Sequence, residues 1–403
     1  MIKLGCFDSN VGDAACQAYL THVEQVTRLP FAQVIGGLDK ITLQKYSPDA
    51  QSVMSVIGVQ QGLKSIGFFP IGQIDGICGY RTQSGIRLFQ EYVRTVEKAD
   101  DNLVPDGQAG PKTQAHLKRW MDGGLKSKWT ETIESFKAGT LGQTEYNDWL
   151  ALLEKVKQQY LASPSQTLQK VNAFTANSST RKVAQWDFSS SANVHLIGVR
   201  RDGFRGKFED IFVLLINGLI FKFQGSTDPG APGTPAGFAF LVQGQHDYHF
   251  GWHKATYLAL KPQDQVLILR SKVDRLDDAA LNSPLEANAT INVHWGGPGM
   301  ANDVTNWSEG CQVINGTVYL NAAGDLIDCA KFAAVASKQP TANADTTRGA
   351  YNVLLDLVTT LSSDESSALK YMLLVEADLE LNPALKQGLA NTRARLLPAL
   401  QNN

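Results

Sequence analysis

The sequence predicts an α+β protein of several domains: a small helical module, a β-rich domain and a helical C-terminal segment. Three observations predict it. A turn–helix unit occurs twice between residues 46 and 122. From about residue 180 the chain turns to short apolar runs separated by Asn-Gly pairs and a Gly/Pro-rich loop. After about residue 345, apolar residues return to helical spacing. A length of 403 residues leaves room for two or three such units.

Taken in order, residues 1–45 are weakly patterned beyond a helix expected around Ala14 to Val26. In residues 46–122, DGICGYRTQ begins at Asp75 and DGQAGPKTQ begins at Asp106, 31 positions later, giving D-G-x-x-G-x-x-T-Q twice. Asp-Gly supplies a tight turn because Gly tolerates positive φ. The Thr is placed to cap a helix that follows. Ile86, Phe89 and Val93 mark one helix, and Val56, Val59, Leu63 and Ile66 mark another that stops at Gly67. Residues 123–178 read as a helical linker, clearest in YNDWLALLEKVKQQYL.

Residues 179–338 form the β-rich unit. DIFVLLINGLIFKFQ places Asn217-Gly218 between two β-rich runs, a strong hairpin signal. DQVLILRSKV and ATINVHW read as strands, and Asn315-Gly316 in CQVINGTVYL reads as a second hairpin. In residues 339–403, Leu354, Leu357, Val358 and Leu361 form a helical stripe. Ser362 with Glu365 suggests a capping box leading into a helix over SSALKYMLLVEADLEL.

The totals exclude some classes. Lys+Arg number 37 against 39 Asp+Glu, so no basic excess points to nucleic acid. No uninterrupted apolar stretch reaches membrane-spanning length. The five cysteines (Cys6, Cys16, Cys78, Cys311 and Cys329) are an odd number in a chain large enough to fold without staples. Four of them read as buried small residues. The opening MIKLGCFDSN lacks the apolar core of a signal peptide, which leads us to expect synthesis in the cytoplasm without that export signal.

Chemistry concentrates in NVHWGGPGMANDVTNWSEGCQVING, residues 292–316. His294 ends one strand-like run and Cys311 opens the next, 17 positions later. A thiol attacks as thiolate and needs a base nearby, and histidine is the usual one. Gly310 leaves its own amide and that of Cys311 able to face a developing oxyanion, and Ser308 can brace the loop. Spacing alone leaves two readings open: a nucleophile with its base, or a small apolar residue beside a turn.

Two resemblances bear on this. VQQGLKSIGFF, IDGICGYRTQSGIRLFQ and VPDGQAGPKTQAHLKRW, about 70 residues, resemble the peptidoglycan-binding domain family. That resemblance implies wall binding, with Asp75, Gly76, Asp106 and Gly107 as binding-turn residues. The S-x-G-C of Ser308 to Cys311, with His294 ahead of it, is similar to the active-site motif of the L,D-transpeptidase catalytic domain family. GSTDPGAPGTPAGFAFL looks like that family's Thr-Pro-x-Gly stretch. The resemblance implies Cys311 as nucleophile, His294 as base, the Trp295 carbonyl as its orienter, and matching roles for Ser308 and Gly310. Two departures stand out. Glu309 replaces the motif's histidine, where an inward carboxylate would raise the thiol pKa. Gln312-Val313 replace residues that often include an arginine.

The expected activity is therefore a cysteine enzyme acting on stem-peptide amides through an acyl-enzyme, as transpeptidase, carboxypeptidase or endopeptidase. No cofactor or metal is expected. His253 and Glu309 are candidate substrate contacts. His246, His249 and His253 fall within eight positions without a zinc-peptidase pattern. Partners expected are peptidoglycan, a phage particle or secretion machine that delivers the protein, and an immunity protein, with action in the periplasm or outside the cell. The alternative is a non-catalytic wall-binding structural protein with a degenerate catalytic fold.

Overall fold

The computed structural model describes residues 1–48, 53–188, 194–201, 206–297, 304, 307–334, 346–362 and 368–401. The chain is a mixed α/β structure with helices around a β-rich region. The N-terminal part contains β1 (Cys6–Asp8), α1 (Asp13–Thr27), β2 (Gln44–Tyr46), α2 (Val56–Ser65), α3 (Tyr80–Tyr92) and α4 (Pro111–Asp122). Next come α5 (Lys128–Lys137), α6 (Glu145–Ala162) and α7 (Gln166–Ala173).

The duplicated turns sit ahead of α3 and α4. Gly79 and Gly110 stand at the two N-caps. Thr82 and Thr113 lie inside the first turns instead of capping them, and they accept from Gln60 Nε2 at 3.1 Å and Gln90 Nε2 at 3.0 Å. Residues 1–8 are stitched across both repeats: Cys78 N donates to Cys6 O at 2.8 Å, and Ala109 N donates to Ile2 O at 2.8 Å. Asp8 then accepts from Val56 N and Ile57 N at 2.8 and 2.9 Å, satisfying donors that α2 leaves open. Phe68, Phe89, Tyr92, Trp120 and Trp129 form an aromatic cluster in this module, mostly edge-to-face, with Phe68 and Trp129 tilted.

The β region comprises β3 (His195–Arg200), β4 (Asp210–Ile216), β5 (Leu219–Ser226), β6 (Phe238–Leu241), β7 (Gly244–His253), β8 (Tyr257–Pro262) and β9 (Val266–Ser271). It continues with α8 (Asp278–Asn282), β10 (Glu286–Asn288), β11 (Val293–Trp295), β12 (Gln312–Leu320) and β13 (Leu326–Asp328). The chain ends with α9 (Ala350–Leu361), β14 (Leu369–Val375) and α10 (Pro383–Gln401). Eight strands close into a barrel in the order β11-β8-β7-β14-β3-β4-β5-β12, and β12 returns to pair with β11. Closure removes the open edges of the eight-stranded ring, and β13 pairs with the far half of β12. β10, β9 and β6 form a separate small sheet.

Alternation sorts side chains between two cores. Tyr371 on β14 donates to Gln312 Oε1 on β12 at 2.7 Å, four strands away around the ring, so this parity faces inward. Phe212 and Tyr248 pack on Tyr371 within the same face. That core continues into α9, all twelve of whose residues are buried. Its polar residues Asn352, Asp356, Thr359 and Thr360 are buried along with the apolar ones, so the helix is enclosed on every side. The alternate residues, including Ile197, Val213, Val313 and Leu374, pack beneath α6 and α10. Arg87 of α3 pairs with Asp356 of α9 at 2.6 Å, joining the helical module to the barrel.

Asn217 (φ 49°) and Gly218 (φ 85°) make the expected hairpin turn between β4 and β5. Two further expectations are corrected. LKYMLLV is not helical: it is β14, hydrogen-bonded on both sides to β3 and β7. A short apolar run is ambiguous in period, and the gap in the barrel decides it. Glu365 of the suggested capping box lies outside the described residues, and Ser362 ends α9. Asn315-Gly316 does not reverse the chain: β12 runs through it with a shift in register between Ile314 and Tyr319. Asn315 Oδ1 accepts from Thr317 N at 2.7 Å, so its turn chemistry forms a bulge within the strand.

Candidate active site

The site forms where β11 meets β12. Parallel pairing registers Val293 with Gln312 and His294 with Val313. Gln312 N donates to Asn292 O at 2.8 Å, which sets Cys311 level with Asn292. Cys311 and Val313 then share a face, and His294, beside Val313, stands diagonally from the cysteine. On the neighbouring hairpin, His253 pairs with Tyr257 and His249 with Lys261. His253, His294, Glu309, Gly310 and Cys311 all line one cleft of about 750 Å3.

His294 is 1% exposed. Its Nδ1 donates to the Trp295 carbonyl at 2.8 Å, and the Tyr257 hydroxyl stands 3.3 Å from the same nitrogen. With the proton on Nδ1, Nε2 presents a lone pair, and it has no hydrogen-bond partner. Burial pushes the imidazole pKa down to about 4, partly offset by the Trp295 carbonyl, with Lys254 lowering it and the Trp307 carbonyl raising it slightly. The ring is therefore neutral near pH 7 and able to accept a proton.

Cys311 is partly exposed. Its sulfhydryl donates to the Thr290 carbonyl at 3.3 Å, and Asn292 N donates to the sulfur at 3.4 Å. Burial pushes the thiol up to about 11. The Asn292 amide, Lys254 and Lys261 pull it down, while Glu309 pushes it further up. The resting pair is thus thiol and neutral imidazole. Transfer of the proton to Nε2 requires the sulfhydryl to swing away from Thr290, a tightening common on substrate binding.

The turn that carries Cys311 is rigid. Ser308 is fully buried; its hydroxyl donates to Cys311 O at 2.7 Å and accepts from Gly310 N at 3.2 Å. Gly310 N is thereby engaged within the turn. Gly310 sits at φ 143°, and a Cβ there would stand 2.9 Å from Ala239 O and from Ile291 Cδ1. Gly230 N and Ala231 N donate to Ser308 O at 2.8 and 3.2 Å, so the Gly/Pro-rich loop lies on this turn. Glu309 is exposed and lies over Gly233.

His253 stacks on His294 with centroids 4.1 Å apart, and its Nδ1 is 3.0 Å from Asn292 Nδ2. Its pKa is pushed down to about 2 by burial first and His294 second. His246 faces away from the cleft, between Thr180 Oγ1 at 2.9 Å and Val242 O at 3.0 Å. Among the described residues, no group of three or more His, Cys, Asp or Glu is placed to hold a metal. Cys6, Cys16, Cys78 and Cys329 are buried free thiols.

The duplicated turns lie apart from this cleft, and their polar groups bond inward. Gln60 Nε2 donates to Asp75 Oδ1 at 2.8 Å, and Gln60 Oε1 accepts from Gly76 N at 3.0 Å. Gln90 does the same for Asp106 and Gly107, at 3.0 and 2.9 Å. The expected binding role of these four residues is thus matched by a turn-building one. The two glutamines were legible, since each precedes its Asp-Gly by 15 or 16 positions. Lys254, Lys261, Tyr257 and Asn292 carried no comparable signal. No family model, curated protein or solved structure matches this chain.

Proposed function

We propose that the protein is a cysteine-dependent enzyme acting on amide bonds of peptidoglycan stem peptides, of the L,D-transpeptidase, carboxypeptidase or endopeptidase type. The observation that carries this reading is the His294 imidazole, which lines the same cleft as Cys311 with its Nδ1 on the Trp295 carbonyl and its buried Nε2 without a hydrogen-bond partner. Cys311 attacks the amide carbonyl and its proton passes to His294 Nε2. The leaving amine takes that proton, and an acyl-enzyme remains. Water or an acceptor amine then releases the acyl group. The duplicated turn–helix module supports wall binding, which raises local substrate concentration by tethering. In this reading the protein works as a phage lysin or as an antibacterial effector. Sacculi incubated with the protein and resolved by chromatography should show altered stem peptides; an unchanged profile sinks the reading.

One observation favours a second reading, a non-catalytic wall-binding protein. The Cys311 sulfhydryl is bonded to Thr290 O, with its pKa pushed up to about 11. Comparison of the wild type with Cys311→Ala separates the two: equal effects on sacculi favour the second.

A further inference from the structure

The five cysteines include one matched pair. Residues 5–8 run antiparallel to residues 76–78 of the first repeat, with Phe7 opposite Ile77. Asp8 N donates to Gly76 O at 2.9 Å, and Cys78 N donates to Cys6 O at 2.8 Å. Gly5 N donates to Cys78 O, also at 2.8 Å, so Gly5 and Cys6 together oppose Cys78. This is a bulge of the kind that needs glycine first: Gly5 has φ 90°, and a Cβ there would stand 2.3 Å from Thr42 O. The bulge brings Cys6 directly across from Cys78.

Residues opposite one another on antiparallel chains point to the same side. Their Cα atoms lie about 5.5 Å apart where backbone bonds join them, well inside the range of roughly 4.4–6.8 Å that a disulfide spans. Both side chains are buried, Cys6 2% exposed and Cys78 0%, and both are free thiols. Burial pushes the Cys78 thiol well up, with Cys6 and Asp75 pushing it further. The second repeat shows the same pairing without sulfur. Ala109 stands where the first repeat has Cys78, and it bridges antiparallel to Ile2. The other three cysteines lie elsewhere, Cys16 on α1, Cys311 in the cleft and Cys329 just after β13.

We propose that Cys6 and Cys78 form a redox clasp, which an external disulfide closes into a cross-link between β1 and the first repeat. The Cys6 thiolate attacks the external disulfide, releasing one thiol and leaving a mixed disulfide on Cys6. The Cys78 thiolate then attacks the Cys6 sulfur and releases the second thiol. The two cysteines lose two electrons and two protons, and the external disulfide takes up both. Exchange proceeds when residues 1–8 separate locally from the repeats. Once the cross-link forms, its sulfurs return to a buried position that dissolved thiols do not reach. It joins residues 72 positions apart and so removes much of the freedom of the separated segment. It also fixes Asp8, which accepts from the first amides of α2. Reducing compartments keep the clasp open, and oxidising ones close it. The inference stands apart from the proposed reaction, since neither sulfur lines the Cys311 cleft.

The test treats the full-length wild type with oxidised glutathione, both folded and during refolding from urea, beside a sample held in reduced glutathione. All samples are alkylated in denaturant and mapped by mass spectrometry. Either oxidative treatment should yield a peptide pair joined through Cys6 and Cys78, lighter by two hydrogens than its reduced parts. Amide exchange at Gly5, Asp8 and Cys78, the donors of this pairing, should slow at least about tenfold on oxidation. Cys78→Ala, which copies Ala109 of the second repeat, should show neither change. Where that variant fails to fold, the wild type compared between the two buffers carries the test. Cys6 and Cys78 both alkylated after both treatments, or joined only to glutathione or to other cysteines, overturns the clasp. A complete cross-link that leaves amide exchange unchanged also overturns it.

Discussion

The imidazole rings of His253 and His294 stack at 4.1 Å with 28° between their planes, and Asn292 links the pair to the Cys311 strand end. His253 thus bears on the ring plane of His294 while the Trp295 carbonyl fixes its in-plane rotation. His253→Phe keeps a flat ring and should keep most of the turnover. His253→Ala frees the base to tilt and should cost roughly tenfold to a hundredfold in kcat. Steady-state kinetics on a stem tetrapeptide reads the difference; equal kinetics for the two variants contradicts it.

The thiol and the imidazole should behave as a neutral pair. Between about pH 4, set by His294, and about pH 11, set by Cys311, neither changes charge alone. Alkylation of Cys311 by iodoacetamide should therefore be slow at pH 7 and climb toward pH 11. Turnover should fall as His294 protonates near pH 4. A fast, pH-independent alkylation above pH 5 marks a preformed thiolate–imidazolium pair and contradicts the neutral one.

Gly310→Ala tests the turn that carries Cys311. The added methyl enters a space already held by Ala239 and Ile291, at a φ unsuited to other residues. A loss of about 1–3 kcal/mol in stability is expected, from overpacking and strain together. Turnover should fall further than stability explains, because the Cys311 amide shifts. Urea unfolding and kinetics on one preparation measure both.

Gln60→Ala and Gln90→Ala should each destabilise the helical module by roughly 2–3 kcal/mol, since buried donors and acceptors of a turn lose their partner. Gln60 is 1% exposed and Gln90 2%. Binding to sacculi should weaken in parallel with unfolding. Loss of binding without loss of stability would place the wall contact on the glutamines themselves.

Stability should pass through a maximum near about pH 6.5. Burial pushes His195, His246, His249 and His294 down to about 4, so these groups take up protons in the unfolded chain first. Their contribution is full above about pH 6.5 and is lost as pH falls toward 4. Glu209 is pushed up to about 8 and Asp356 to about 6, with Asp210 also raised, chiefly by burial. These carboxyls act in the opposite sense, and their contribution is lost as pH rises toward 8. Urea midpoints between pH 4.5 and 8.5 should trace a dome, and a steady climb toward acid contradicts it.

Much of the architecture was legible because local chemistry and tertiary demand agreed. The Asp-Gly repeats, the Asn217-Gly218 hairpin and the stripe through Leu354 all lie where their signals point. Residues 369–375 misled because an apolar run between Ala368 and Glu376 fits either period, and only the vacant place between β3 and β7 selects a strand. Asn315-Gly316 misled because an Asx turn inside a strand uses the same residues as a hairpin. At the site, the nearness of His294 and Cys311 follows from two strand ends flanking one loop. The inward bonding of the sulfur to Thr290 does not, since it depends on side-chain rotation. Lys261 was invisible because its direction depends on how β8 registers against β7.

The most direct test is intact-mass spectrometry of the protein mixed with a stem tetrapeptide and quenched in acid. The account predicts an acyl adduct on Cys311, absent from Cys311→Ala and slowed at least about a thousandfold in His294→Ala. An unmodified Cys311 alongside an unchanged peptide, across pH 5 to 9, would contradict it.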